Sequence, residues 1–279
     1  IPTTSKFKCQ FDGHDGAAYI DVLSGEESVG RAGFMLSYTW NYSVATVADV
    51  LSNFCEQKSL SPFRTYIWKC CLCINQHRVR AAQAKGASVP FEHFEREFHD
   101  TLRGIGHIIA VVAPWQQPAY LKRVWCIFEL FCALSLGDAQ LSIVMPPEEE
   151  QHLCSALLEV AGLDSVWRAL ANLRIEDAEA SVPEDRARIL RMIRDGPGFS
   201  LLNGAVRRRL QTWIVGKGEH HARRHLPGGA AQEPVLRLCA KVGSLLREIG
   251  LLDRAEALLG EAWAAHQTVA AGHLAGTPQ

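Results

Sequence analysis

Short apolar runs alternate with amphipathic segments between residues 33 and 146, and this alternation limits the folds open to the chain. Four runs rich in β-branched and aromatic residues predict strands: 33–40, 64–76, 106–115 and 141–146. Three segments carry apolar residues at helical spacing and predict helices: 43–57, with Ser43 as its N-cap, 91–103 and 121–134. Strands that are apolar on both faces and alternate with helices are typical of a parallel sheet, so we expect an α/β fold.

The composition excludes several classes of partner. The 279 residues carry a formal net charge of −1, which gives no electrostatic basis for binding nucleic acid or an anionic membrane. No apolar run reaches the ~18–20 residues that span a bilayer, so we expect no membrane span. The start, IPTTSKFKCQ, has no apolar core after a basic segment, which argues against a signal peptide. The missing initiator Met predicts a fragment or a cleaved product.

Nine cysteines occur without a CxxC pair or a histidine at zinc-ligand spacing, so we expect no metal site. Cys70, Cys71 and Cys73 lie in the second predicted strand, and most of the others lie singly in apolar runs. We interpret them as small buried hydrophobic residues. An odd and unpatterned count suits a reducing cytoplasm, where we place the protein.

The pattern becomes helical after residue 147. Residues 148–215 predict a helical region, and the polar, Gly/Pro-rich stretch 216–234 predicts a linker. We interpret His220, His221 and His225 in that stretch as part of a solvated basic loop rather than as a metal-binding tract.

Residues 235–279 predict a helical hairpin. Gly243, Ala255 and Ala262 stand where two antiparallel helices would cross closely, and this spacing resembles one tetratricopeptide unit of the kinesin-light-chain type over about 235–268. A single unit cannot bury its own apolar face, and ~3 are normally needed. Either further repeats follow in the natural chain, or the hairpin packs on the preceding helices.

The familiar catalytic signatures are absent from the sequence. It has no GxxxxGK[ST] phosphate loop, no GxSxG nucleophile elbow, no HExxH and no GxGxxG after a strand. Nucleoside triphosphatases, α/β-hydrolases and zincin proteases are therefore disfavoured.

Three segments resemble the signatures of TIR (Toll/interleukin-1 receptor-like) domains and of fungal heterokaryon-incompatibility domains. LSYTW (36–40) is similar to the first motif of both families, and CINQ (73–76) to the second incompatibility motif. RVWCIFE (123–129) resembles the third signature of both, W-C-x-x-E-L in TIR domains and R-x-W-x-x-Q-E in incompatibility domains. The match covers about 33–146. It departs from the incompatibility pattern at Cys70, where an acidic residue is expected, and at Phe128, where a glutamine is expected.

The resemblance implies a flavodoxin-like fold with a ligand site at the carboxyl ends of the strands. In enzymatic TIR domains the glutamate that matches Glu129 is the catalytic residue of NAD⁺ cleavage, in which a carboxylate stabilises an oxocarbenium-like ribose. The alternative is an assembly module in which Glu129 caps a helix or pairs with Arg123. Residues at the strand ends are our candidate cofactor-binding residues: Ser37, Tyr38, Trp40, Asn75, Gln76 and Trp115.

We therefore expect an unassigned N-terminal extension (1–32), a TIR-like domain (33–147), a helical region (148–215), a linker (216–234) and a tetratricopeptide-like hairpin (235–279). The expected function is signalling or assembly, with protein partners bound through the hairpin and with self-association. No cofactor is required. An NAD⁺ hydrolase that uses Glu129 is the alternative, and a kinesin-light-chain-like adaptor is a weaker one.

Overall fold

The computed structural model describes residues 4–10, 12–85, 91–159, 174–226 and 233–275. The chain divides into two compact units. The first consists of Ile1–Pro114, Pro118–Pro147 and Ile175–Gly198, and the second of Trp115–Gln117, Glu148–Arg174 and Phe199–Gln279.

A four-stranded parallel sheet organises the first unit, which confirms the expected α/β fold. The strands are β1 (Phe34–Ser37), β2 (Ile67–Trp68), β3 (His107–Val111) and β4 (Gln140–Val144), in the order β2-β1-β3-β4. The register places Ser37, the last residue of β1, beside Ala110 of β3. Ile108, Ile109 and Val111 of β3 are fully buried, as expected for a central strand.

The helices of the described residues are α1 (Val44–Gln57), α2 (Cys70–Cys73), α3 (Gln76–Ala84), α4 (Phe91–Ile105), α5 (Val124–Leu136), α6 (Pro147–Leu158), α7 (Pro183–Asp195), α8 (Phe199–His225), α9 (Glu233–Glu248) and α10 (Leu252–Ala275). Short 3₁₀ turns lie at Ile20–Val22, Pro62–Arg64, Ala119–Lys122 and Ile175–Asp177. The predicted cap of α1 is confirmed, since the Ser43 side chain accepts a hydrogen bond from the Thr46 backbone N–H.

The second predicted strand is wrong after Trp68. Residues 70–73 form the one-turn helix α2, in which the backbone N–H groups of Cys73 and Ile74 bond to the carbonyls of Lys69 and Cys70. Cysteine is apolar enough to resemble a strand residue in sequence, yet nothing in its side chain prevents a helical turn. The three cysteines of α2 are half-buried rather than fully buried.

The N-terminal extension, for which no element is predicted, packs on the start of α3. The Asn75 side-chain amide donates to the Gly16 carbonyl at 2.9 Å, and Arg78 pairs with Asp12. His77 lies 2.8 Å from the Thr4 hydroxyl. This extension therefore belongs to the first unit.

The second unit is helical, and its longest helix overturns part of the predicted linker. Residues 216–225 continue α8, while 227–232 lie outside the described residues. The polar composition of 216–225 is misleading because Glu219 is buried against Arg254, and Gly218 lets Val242 approach closely. The predicted helical stretch 166–173 also lies outside the described part of the chain.

Helices α9 and α10 pack against each other and cover most of the region 235–279, for which a hairpin is expected. A Cβ built on Gly243 would lie 2.7 Å from Leu259, so the helices cross closely at this glycine, and Ala255 is buried. Among the described residues, no helix is long and apolar enough to cross a membrane.

Candidate functional site

The candidate site lies at the carboxyl end of β1, where the order of the sheet reverses. The chain passes from β1 to β2 on one side, and β3 then pairs with β1 on the other side. Such a reversal leaves a crevice beyond the strand ends, because the connections run away from each other. Ser37 ends β1 at this point, and Tyr38, Thr39 and Trp40 follow it.

Glu129 points toward this strand end and not into solvent. It lies on the second turn of α5, and its side chain is 8 % exposed. The Ser37 hydroxyl donates a hydrogen bond to Glu129 Oε2, and Ser37 Oγ lies 2.7 Å from the Tyr120 hydroxyl. The Tyr120 hydroxyl also lies 3.4 Å from the Cys126 carbonyl. A carboxyl group, two hydroxyls and a carbonyl therefore form one buried chain of hydrogen bonds.

The direction of this chain depends on the protonation of Glu129. When Glu129 is charged it only accepts, so Ser37 donates to it and Tyr120 donates to Ser37. When Glu129 is protonated it donates to Ser37, which donates to Tyr120, which donates to the Cys126 carbonyl. Burial raises the pKa of Glu129 from 4.5 to about 7, against the opposing effects of the Ser37 hydrogen bond and the Arg123 charge. Both directions are thus accessible near neutral pH.

The thiols around Glu129 remain protonated. Burial raises the pKa of Cys70 to about 12, and the Glu129 charge adds to the shift. Burial also raises the pKa of Cys132 to about 12 and that of Cys126 well above its usual value. Thiols in this state are poor nucleophiles. Cys70 therefore supplies no charge.

Tyr38 and Trp40 lie beside positive charges. Lys69 Nζ is 4.9 Å from the centroid of the Tyr38 ring, and the Arg123 guanidinium carbon is 4.7 Å from that of Trp40. The Tyr38 side chain is 9 % exposed and its hydroxyl donates to Cys71 Sγ at 3.4 Å. Trp40 is 63 % exposed, so this ring is the outermost part of the strand end.

Asn75 and Gln76 bond to backbone groups near their own position in the chain. The Asn75 side-chain oxygen accepts hydrogen bonds from the backbone N–H groups of His77 and Arg78, in the first turn of α3. Its side-chain amide donates to the Gly16 carbonyl. Gln76 donates to the Ile74 carbonyl at 3.3 Å. Within the described ranges, no hydrogen bond joins either side chain to Glu129.

Trp115 belongs to the second unit, unlike the other candidate residues. The Glu149 carboxylate accepts from its backbone N–H at 3.2 Å. Its indole nitrogen is buried and has no hydrogen-bond partner among the residues described.

Sequence reasoning missed Tyr120 and Lys69 at the strand end, named Arg123 only as an ion-pair partner of Glu129, and gave Thr39 of LSYTW no role. Tyr120 occupies a short apolar turn before α5, and its hydroxyl gives no signal in the sequence. Lys69 follows Trp68 and Arg123 begins RVWCIFEL, so a search for cations next to aromatic residues could have found the part that both play. No group of three or more His, Cys, Asp or Glu residues in the described part could hold a metal ion.

Comparison of the chain with protein-family models, with curated proteins and with solved structures found no match. The proposal of a function therefore rests on the residues of the strand end.

Proposed function

We propose that this chain is a TIR-like signalling and assembly module, in which a flavodoxin-like unit is coupled to a tetratricopeptide-like arm. The strand order β2-β1-β3-β4 supports the fold assignment, since a flavodoxin-like sheet of order 2-1-3-4-5 begins in this way. The Ser37–Glu129 hydrogen bond supports the family assignment because it joins the first and third segments of the resemblance.

The observation that carries the assembly function is that the Glu129 carboxyl group is bonded within the fold. Its carboxyl group is buried and bonded to Ser37, so it holds α5 against β1. The strand end presents two exposed apolar side chains to a partner: Trp40 is 63 % exposed and Val44, at the start of α1, is 79 % exposed. Exposed aromatic residues of this kind are enriched in protein interfaces.

The helical arm supports binding of a protein partner. Leu252 and Trp263 are 61 % and 64 % exposed on α10, and they stand about three helical turns apart, on the same side of the helix. A cytoplasmic location is part of this proposal and is supported by the nine cysteines, all of which are free thiols.

Sedimentation velocity over a wide range of protein concentration tests self-association. We expect the sedimentation coefficient to rise with concentration, and Trp40→Ser to abolish the rise. Phe63→Ser is the matched control. Phe63 is 78 % exposed in the turn that precedes β2, so it lies at the amino end of that strand, whereas Trp40 lies beyond the carboxyl end of β1. A protein that stays monomeric at every concentration contradicts self-assembly.

A second candidate function is hydrolysis of NAD⁺ to ADP-ribose and nicotinamide. The observation that favours it is a carboxyl group at the strand end with a pKa raised to about 7. Water would add to the ribose carbon as the bond to the nicotinamide nitrogen breaks, and one proton would be released. The charged form of Glu129 would stabilise the positive charge that develops on the ribose.

Nicotinamide release, measured by chromatography, tests this candidate. We expect Glu129→Gln to abolish release while the protein stays folded, because the amide keeps the shape but loses the charge. Glu219→Gln, at the buried carboxyl group of the second unit, is the control. Absence of release at high protein concentration would leave the assembly function alone.

A further inference from the structure

Two cations at the strand end have no counter-ion within 4 Å. Lys69 and Arg123 are half-buried, and neither side chain forms an ion pair or a hydrogen bond with a described residue. Each instead lies over an aromatic ring, at 4.9 Å from Tyr38 and 4.7 Å from Trp40. Cations that lose part of their hydration without a hydrogen-bonded partner are costly to hold, and exposed cation–π contacts offset only about 0.5–1 kcal/mol.

Both cations lie near the Tyr38 ring, just beyond the end of β1. Lys69 follows β2, Tyr38 follows the neighbouring strand β1, and Arg123 precedes α5. The Arg123 charge opposes the effect of burial on the pKa of Tyr38, which puts its guanidinium within electrostatic reach of that ring as well. Arg123 also lowers the pKa of Glu129, so that carboxyl group lies within its electrostatic reach, and Glu129 Oε2 is bonded to Ser37.

A hydroxyl group with no partner lies in the same turn. Thr39 is 3 % exposed, and its Oγ1 is buried without a hydrogen-bond partner in the ranges that the structure describes. Such a group costs about 1–3 kcal/mol and is uncommon in folded proteins. Its position between Tyr38 and Trp40 places it in the loop that also carries both rings.

We propose that Lys69, Arg123 and Thr39 form a binding site for a phosphate group at the carboxyl end of β1. Arginine offers a planar fork of donors to two oxygens, lysine offers a point charge, and the threonine hydroxyl offers one more donor. Two positive charges match the charge of a phosphate dianion. Each ring already contacts one of the cations, so the part of a ligand that this site recognises is its anionic phosphate group. It does not depend on self-association or on NAD⁺ cleavage.

Titration calorimetry at constant ionic strength with inorganic phosphate, diphosphate and glycerol 3-phosphate tests the site. We expect saturable binding of at least one of these anions, weakened about tenfold or more by Arg123→Gln or Lys69→Gln. Binding of phosphate itself identifies a free anion as sufficient, whereas binding of glycerol 3-phosphate alone identifies an ester. Arg123→Lys keeps the charge but loses the planar fork, so it should retain part of the affinity. This variant still tests the site if Arg123→Gln fails to fold.

Lys58→Gln is the matched control, because Lys58 is an exposed lysine at the end of α1, close to His107 at the amino end of β3 and so away from the strand ends that carry the site. Thr39→Val gives an independent readout. It removes a hydroxyl that has no partner in the free protein, so we expect unchanged or higher stability together with weaker binding. No saturable binding of any of the three anions, or equal weakening by Lys58→Gln, would overturn the site. Unchanged binding by Thr39→Val would overturn the role of the hydroxyl.

Discussion

The Ser37 hydroxyl donates a hydrogen bond to the Glu129 carboxylate and thereby joins the last residue of β1 to the second turn of α5. Tyr120 extends this contact, since its hydroxyl lies 2.7 Å from Ser37 Oγ. The contact is buried, so its strength depends on the charge of the carboxyl group more than a surface contact would. The stability of the first unit should therefore vary with pH in a way that can be assigned to Glu129.

The first prediction is that Glu129 lowers the stability of the protein as pH rises. Its pKa is about 7 in the folded protein and 4.5 ordinarily, so between these values the folded state holds a proton that the unfolded state has released. Its contribution is therefore present below pH 4.5 and is lost as pH rises through about 7. The full difference corresponds to roughly 3 kcal/mol. Urea unfolding at a series of pH values measures it.

Glu129→Gln isolates this effect, because the amide cannot ionise but still accepts a hydrogen bond from Ser37. Burial also raises the pKa of Asp185, so the difference between variant and wild type is the quantity to follow. We expect Glu129→Gln to be the more stable protein above pH 7 and the difference to shrink toward pH 4.5. A difference that does not change with pH would contradict the raised pKa.

The second prediction concerns Ser37→Ala. The variant removes the donor that stabilises charged Glu129, so we expect the pKa of Glu129 to rise further and the protein to lose about 1.5–3 kcal/mol of stability above pH 7. Carbon-detected NMR titration of the glutamate carboxyl groups measures the pKa. Ser142→Ala is the control, since its hydroxyl lies 2.8 Å from His107 Nε2 and does not touch Glu129. An unchanged Glu129 pKa in Ser37→Ala would show that the Ser37 hydrogen bond does not stabilise the charged carboxylate.

The sequence predicts the parallel sheet and the position of Glu129 for physical reasons. An apolar strand such as β3 must be covered on both faces, and the motif helix α5 directly follows it, so Glu129 has to lie near the sheet. What the sequence does not reveal is the direction of its carboxyl group. The carboxyl group is bonded to Ser37, and Tyr120 reaches the same hydroxyl from the turn at Ala119–Lys122.

The linker prediction fails for a related reason. Polar composition indicates exposure only when the polar groups have no partners in the fold, and Glu219 has two. Arg254 and Arg223 both pair with it, so a segment that resembles a solvated loop is instead a helix with a buried carboxylate. Arg223 lies one helical turn after Glu219, so that pair is local, but Arg254 comes from the next helical hairpin and local patterns do not show it.

The third prediction follows from these pairs. Glu219→Ala leaves two arginines without their shared partner, and because both arginines are partly exposed we expect a loss of only about 1–2 kcal/mol. Chemical unfolding measures the loss. Glu233→Ala is the control, since Glu233 forms an exposed pair with Arg237 and should change stability little. Equal effects of the two variants would contradict a special role for Glu219.

The last prediction separates helix propensity from packing in the hairpin of α9 and α10. Glycine in a helix costs about 1 kcal/mol relative to alanine, so Gly→Ala should stabilise a helix wherever there is room for the methyl group. At Gly260 of α10 an added Cβ meets nothing within 4 Å, whereas at Gly243 of α9 it would lie 2.7 Å from Leu259. We therefore expect Gly260→Ala to raise the melting temperature and Gly243→Ala to lower it.

The clash at Gly243 is with a side chain, so it can be relieved without moving the backbone. Leu259→Ala alone removes apolar contacts and should be destabilising, but in the double variant the two substitutions are complementary in volume. We expect Gly243→Ala to cost less in the Leu259→Ala background than in the wild type, as measured by a double-mutant cycle of unfolding free energies. Additive effects would mean that the helices do not meet at this pair, and a stabilising Gly243→Ala would contradict the close crossing itself.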